Sequence, residues 1–267
     1  MGGHLPESDS PTLSHSRSSS PFPRVTVIGI QVDNVSEDEA LSLIDQWLDG
    51  GSPAFMSVVN AAKLVAARRD GELRRVLMSA DLVTADGMAV VWASRLLGSP
   101  LKERVTGIDI FARLIGHAER RGSSVYLLGG HDEAVGRIVT RFRSEHPNLR
   151  VAGYRNGYFD AGETDAVVEQ IRESGADLLF VAMGSPMQEI FIASNLTASG
   201  ARFALGVGGA FDHLSGLSRR APKWMQRAGL EWLYRLLSEP RRLWRRYLIG
   251  NLLFTCLVAR QLLSRPR

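Results

Sequence analysis

Short apolar, β-branched runs alternate along the chain with stretches of helical periodicity. The runs are "RVTVIGI" at 24–30, "AFMSVV" at 54–59, "DLVTA" at 81–85, "SVYLLGG" at 124–130, "RVAGY" at 150–154, "DLLFVAM" at 177–183 and "RFALGV" at 202–207. Such alternation predicts right-handed βαβ units around a mainly parallel sheet, an α/β fold. Helix starts are legible locally. In "SEDEALSLIDQWL" Ser36 can cap and Glu39, three residues on, completes a capping box.

From about Pro222 the β pattern stops. Three helical segments are expected there, broken near Glu239–Pro240 and Gly250–Asn251, with Leu230, Leu233, Tyr234 and Leu237 on one face of the first. At the other end, the Ser- and Pro-rich residues 1–23 lack the apolar stretch of a signal peptide and are expected to be a disordered leader. The expected division is therefore a leader over 1–23, an α/β domain over 24–217 and a basic amphipathic helical appendage over 218–267.

Composition sharpens that division. The chain has 267 residues, 45% of them hydrophobic, enough for a substantial core. Residues 218–267 hold twelve of its 32 Lys and Arg against two of its 28 acids, Glu231 and Glu239. That segment is therefore +10 and the remainder −6, giving the net +4. Aromatic and leucine residues interleave with those cations, a composition suited to an anionic lipid surface; a solvated helix face is the plainer reading. Leu248 to Ala259 is apolar apart from Gly250, Asn251 and Thr255. A span needs about 20 residues, so this stretch is expected to lie in the interface or pack on protein. The basic residues are confined to one end and no nucleic-acid motif is present, which argues against a nucleic-acid partner. A single cysteine, Cys256, excludes an internal disulfide framework and makes a reducing cytosol the default compartment.

In open parallel sheets, ligands sit at the carboxyl ends of the strands. Five places stand there: Asn60, Asp86–Gly87, Gly129–Gly130, "GSPMQE" from Gly184, and "GVGGAFD" ending at Asp212. Asp86 precedes a helical run, so it can be an N-cap or can offer a general base to an incoming hydroxyl, typically worth about 10²- to 10⁴-fold in rate. "GSPMQE" reads as a cap at Ser185, Pro186 in the first turn and a capping box closed by Gln188, or as a loop whose amides receive phosphate or sugar oxygens. The Gly-rich turns do not complete G-x-G-x-x-G, and there is neither D-x-D nor histidine at ligand spacing. No metal or other cofactor is expected, and pyrophosphate charge would fall to arginines and backbone amides.

Taken together, "VVNAAKLVAARRD", "ADLVTADGMAVVWASRLLG", "ERVTGIDI", "VYLLGG", "NGYF", "LLFVAMGSPMQE", "GVGGAFD" and "RRAPKWMQRAGLEWLYRLLSEPRRLWRRY" closely resemble the WecG/TagA/CpsF family of bacterial glycosyltransferases, in order from about Val25 to the end. The resemblance implies a Rossmann-like domain with helices on both faces and a C-terminal appendage that docks on the membrane and closes over the site. It also implies inverting, metal-independent transfer of a hexose from a UDP-sugar, UDP-glucose or UDP-ManNAc among them, to a polyprenyl-diphosphate-linked saccharide. The setting would be the inner face of the cell membrane, to which a cytoplasmic protein would bind peripherally.

The family's base falls on Asp86, its nucleotide-sugar contacts on Asn60, Arg104, Gln188 and Asp212, and its diphosphate arginines on Arg235, Arg242 and Arg245. Thr106 and Asp109 of "ERVTGIDI" and Glu189 of "GSPMQE" lie in the same motifs and are expected to bind substrate. Val58 stands where the family often has Thr, which favours an exopolysaccharide type of enzyme over a teichoic acid type. A homo-oligomer is compatible with all of this. Two other classes stay open: an NAD-linked oxidoreductase, which the sheet permits, and a non-catalytic partner of a polysaccharide assembly complex at the membrane surface.

Overall fold

The computed structural model describes residues 20–217 and 220–264, while the side chains of Arg227, Arg242, Arg245 and Arg246 lie outside what it describes. Most of the expected leader, residues 1–19, also lies outside the described residues. The first described residues already belong to the body: Phe22 packs against a core cluster and the Pro23 carbonyl accepts the Asn34 amide at 2.8 Å.

The run at 24–30 forms a hairpin instead of a single sheet strand. β1 (Arg24–Val27) and β2 (Ile30–Asp33) pair antiparallel around the two-residue turn Ile28–Gly29. Both turn residues have positive φ, 51° and 77°. A tight hairpin needs that backbone; glycine accepts it readily and isoleucine at a strain cost. The hairpin is fastened beside the sheet by Asp33, which pairs with Arg24 at 3.0 Å and accepts the Val83 amide at 2.8 Å.

After α1 (Glu37–Gly50), whose Ser36–Glu39 capping box forms as expected, come β3 (Ala54–Val59), α2 (Ala61–Ala67), α3 (Gly71–Ser79), β4 (Leu82–Ala85) and α4 (Met88–Leu96). The chain continues through α5 (Gly107–Arg121), β5 (Ser124–Gly129), α6 (Asp132–Glu145), β6 (Arg150–Arg155) and α7 (Thr164–Ser174). β7 (Leu178–Ala182), α8 (Met187–Ser199), β8 (Phe203–Gly206) and α9 (Ala210–Leu214) complete the Rossmann-like body.

Six strands form a parallel sheet in the order β4-β3-β8-β7-β5-β6. Strand residues alternate between two cores, as the period of two requires. Phe55, Val59, Leu179 and Val181 join the core under α2, α3, α7 and α8, while Met56, Val58, Phe180 and Ala182 join the one under α1, α5, α6 and α9. Because the strands are parallel, the five predicted loops all open at one edge of the sheet.

The C-terminal segment runs through α10 (Lys223–Arg227), α11 (Glu231–Ser238), α12 (Pro240–Trp244), a π-helical turn at Arg245–Ile249 and α13 (Gly250–Leu263). The break at Pro240 is present. At Gly250 the chain instead passes from the π-helical turn directly into α13. α13 packs along α2, with Phe254 and Val258 buried in the body's core. Its Gln261 accepts the strained Ile28 amide at 2.8 Å and donates to the Thr26 carbonyl at 2.9 Å. No described helix is long and apolar enough to cross a membrane.

Candidate active site

Asp86 follows β4 directly, with its amide bonded to the Val59 carbonyl of neighbouring β3 at 2.9 Å. It does not cap α4: Gly87 occupies that position with no side-chain cap, and the Asp86 carboxylate turns toward α5, with Oδ1 3.4 Å from the Gly107 amide. Asn60 lies alongside, close enough that a Cβ on Gly87 would sit 3.4 Å from its own Cβ. Its Oδ1 caps α2 through the Lys63 amide at 3.0 Å. Val58 packs on Gly107 beneath this corner, while Ser57 alternates to the other face of β3 and cannot supply the hydroxyl that Val58 lacks.

Next to Asp86 the body and the C-terminal segment exchange charges. Thr106 caps α5 and donates to Asp109 at 2.6 Å. Asp109 accepts both terminal nitrogens of Arg220, at 2.6 and 2.9 Å. Glu231 of α11 accepts Arg104 at 3.0 Å and lies 3.8 and 3.7 Å from Arg220 and Arg235. Arg235 also meets His213 Nε2 at 3.0 Å. Burial raises the Asp109 pKa, but the hydrogen bonds from Arg220 and Thr106 outweigh it and hold the carboxyl below its ordinary range. Burial likewise opposes the Arg220 charge. Asp109, with Glu231 and Asp86 acting through their charges, more than offsets that, so the guanidinium pKa is raised.

The "GSPMQE" loop departs from its expected cap. Ser185–Pro186 is a cis peptide, α8 starts at Met187 without a side-chain cap, and Gln188 turns inward and is buried. Its Oε1 accepts the Gly208 amide at 3.1 Å and its Nε2 donates to Glu189 at 2.8 Å. Glu189, also buried, pairs with Lys63 at 2.8 Å. Asp212 follows the same glycine turn, in the first turn of α9. At the far end of this edge, the exposed Tyr158 ring stacks on His131 with centroids 4.4 Å apart, a flat surface suited to a planar ligand. No three His, Cys, Asp or Glu side chains gather as a metal site among the described residues.

Residues 25–267 match the model of the glycosyl transferase WecG/TagA/CpsF family. The chain belongs to this family. Among its relatives is the N-acetylglucosaminyldiphosphoundecaprenol N-acetyl-beta-D-mannosaminyltransferase of Bacillus subtilis (strain 168), 37% identical over 202 residues, 76% of this chain and 78% of that one. The protein of the same name from Bacillus spizizenii (strain ATCC 23059 / NRRL B-14472 / W23) is 36% identical over 76% of this chain and 77% of its own.

In this WecG/TagA/CpsF protein the expected residues fall into three groups. Asn60 and Asp86 share one corner. Arg104, Thr106, Asp109 and Arg235 join the charge network, and Gln188 and Glu189 are buried behind the glycine turn before Asp212. The Arg242 and Arg245 side chains lie outside the described residues. Sequence reading missed Arg220, whose "RRAP" context resembles any basic run until its carboxylate partner is known. It also missed Lys63, which looks like an ordinary helix-surface lysine in "NAAKLVAA".

Proposed function

We propose that the protein transfers a hexose residue from a UDP-sugar to a saccharide carried on polyprenyl diphosphate, with inversion and without a metal. The observation that carries this reading is Asp86. It is a carboxylate at the carboxyl edge of a parallel sheet, not consumed as a helix cap, and within electrostatic reach of an arginine from the C-terminal segment. The relatives' names support a lipid-diphosphate acceptor and make UDP-N-acetylmannosamine the first donor to try, with UDP-glucose the second.

In the proposed step the acceptor hydroxyl gives its proton to Asp86 as its oxygen attacks the anomeric carbon, and the bond to UDP breaks on the opposite face. Charge then grows on the leaving diphosphate. Arg104, Arg220 and Arg235 offer planar guanidinium donors to it, joined by Arg242 and Arg245 as the family resemblance implies. Donor contacts are assigned to Asn60 and Asp212. The exposed Trp224, Leu237, Leu248, Ile249 and Leu252, together with the +10 charge of 218–267, suit this segment to the anionic inner face of the cell membrane, where the lipid acceptor would be met.

The test is a transfer assay with UDP-N-acetylmannosamine, UDP-glucose and related donors against lipid-linked mono- and disaccharides, with and without a chelator. Asp86→Asn should fold normally and lose about 10²-fold or more in rate. Near wild-type transfer by this variant would remove Asp86 as the base, and chelator-sensitive transfer would remove the arginine account.

A further inference from the structure

Three loops of the carboxyl edge meet at a buried ion pair that the proposed reaction leaves unused. Lys63, on α2 just after Asn60, is 6% exposed and Glu189, on α8, is 2% exposed. Glu189 Oε1 accepts from Lys63 Nζ at 2.8 Å and from Gln188 Nε2 at 2.8 Å. An ionised carboxylate only accepts, so Gln188 must turn its amino group toward Glu189. Its carbonyl oxygen therefore faces the glycine turn, where it accepts the Gly208 amide at 3.1 Å. The fit is close: a Cβ on Gly206 would sit 2.6 Å from Gln188 Nε2. At its other end Lys63 gives its backbone amide to Asn60 Oδ1 at 3.0 Å.

This is not an arrangement that stability alone would favour. Glu189 Oε2 is buried with no hydrogen-bond partner among the described residues. Apolar side chains of similar volume commonly replace a buried ion pair with no loss of stability, or with a gain.

We propose that Lys63 and Glu189 are positioning residues: their ion pair fixes the direction of the Gln188 carboxamide, which holds the Gly206–Gly209 turn and so places Asp212, and it engages the helix whose Lys63 backbone amide holds the Asn60 side chain. Gln188 then serves the donor site through the backbone it holds. The inference rests on the reading of Asn60 and Asp212 as donor contacts.

The test compares full-length wild type with Glu189→Gln, Lys63→Met and the apolar pair Lys63→Met/Glu189→Met. The measurements are melting temperature, KM for the UDP-sugar, KM for the lipid acceptor, and amide hydrogen exchange over residues 203–214. The apolar pair should melt at or above the wild-type temperature. Its donor KM should nevertheless rise at least about tenfold while acceptor KM moves less than about twofold, and exchange at Gly208 should quicken at least about tenfold, changes of roughly 1.4 kcal/mol each. A purely structural pair would leave the stable apolar variant with wild-type donor KM and wild-type exchange, and that result would overturn the proposal. Unfolding of the apolar pair would overturn it too, since the ion pair would then be needed for folding. Should wild type transfer no sugar, the proposed function fails, while the exchange measurement still decides whether the pair holds the turn.

Discussion

Asp109 gains its position from a partner 111 residues away, Arg220, and its titration follows from that contact. Its folded pKa lies below the ordinary 3.8, so the stability it contributes is fully present above that value and is lost as pH falls through the depressed one. Asp109→Asn should therefore lower the melting temperature by a constant amount from about pH 5 to 8, with the gap to wild type closing below about pH 4. Side chains of the pair are 26% and 33% exposed, which limits the expected loss to about 1–2 kcal/mol. Melting curves across pH check this, and a gap that widens in acid would contradict it. Asp86 does not cap α4 and accepts the Gly107 amide only at a long 3.4 Å, so its substitution should affect rate far more than stability.

The β1–β2 hairpin and α13 depend on each other. The hairpin's turn asks for positive φ at Ile28 and Gly29, and Gln261 of α13 bonds the Ile28 amide and the Thr26 carbonyl on its entry side. Gly29→Ala should cost about 1–2 kcal/mol because alanine resists the left-handed backbone. Gln261→Ala should cost about 1–2 kcal/mol by leaving a part-buried amide unpaired. Chemical denaturation measures both, with Ser36→Ala, a lost N-cap at about 1 kcal/mol, as a reference of known kind. Effects within about 0.3 kcal/mol of zero would show that α13 does not support the hairpin.

Across the whole molecule, the C-terminal segment has two faces with different duties. Phe254 and Val258 are buried in the same core as the sheet, so Phe254→Ala should destabilise the entire body by about 3–5 kcal/mol in one cooperative transition. A separate, earlier transition would mean that α13 melts alone. Leu237 and Leu252, 71% and 66% exposed, should matter little to folding. Their joint replacement by Ser is expected to weaken binding to anionic vesicles about tenfold or more, and raised salt should weaken binding of the wild type as well. Pelleting with and without salt measures this; vesicle binding indifferent to both changes would refute the lipid-contact reading.

Local and repeating features were legible from residue order. The positions of the six parallel strands, the Ser36–Glu39 box and the five loops at the strand ends follow from periodicity and capping chemistry that act over a few residues, as the hairpin at 24–33 does not, and the ordered motifs carried the family. Folding settled what depends on distant partners. Arg220 meets Asp109 over 111 residues, Lys63 meets Glu189 over 126, and Gln261 meets Thr26 over 235. The inward turn of Gln188 belongs with these, since a capping box would return it to the Ser185 backbone, whereas in the fold it accepts the Gly208 amide twenty residues on. Side-chain alternation and helix caps are short-range, so the chain's order expresses them. An ion pair or a docked helix needs two segments brought together, and only the packed sheet with its two cores does that.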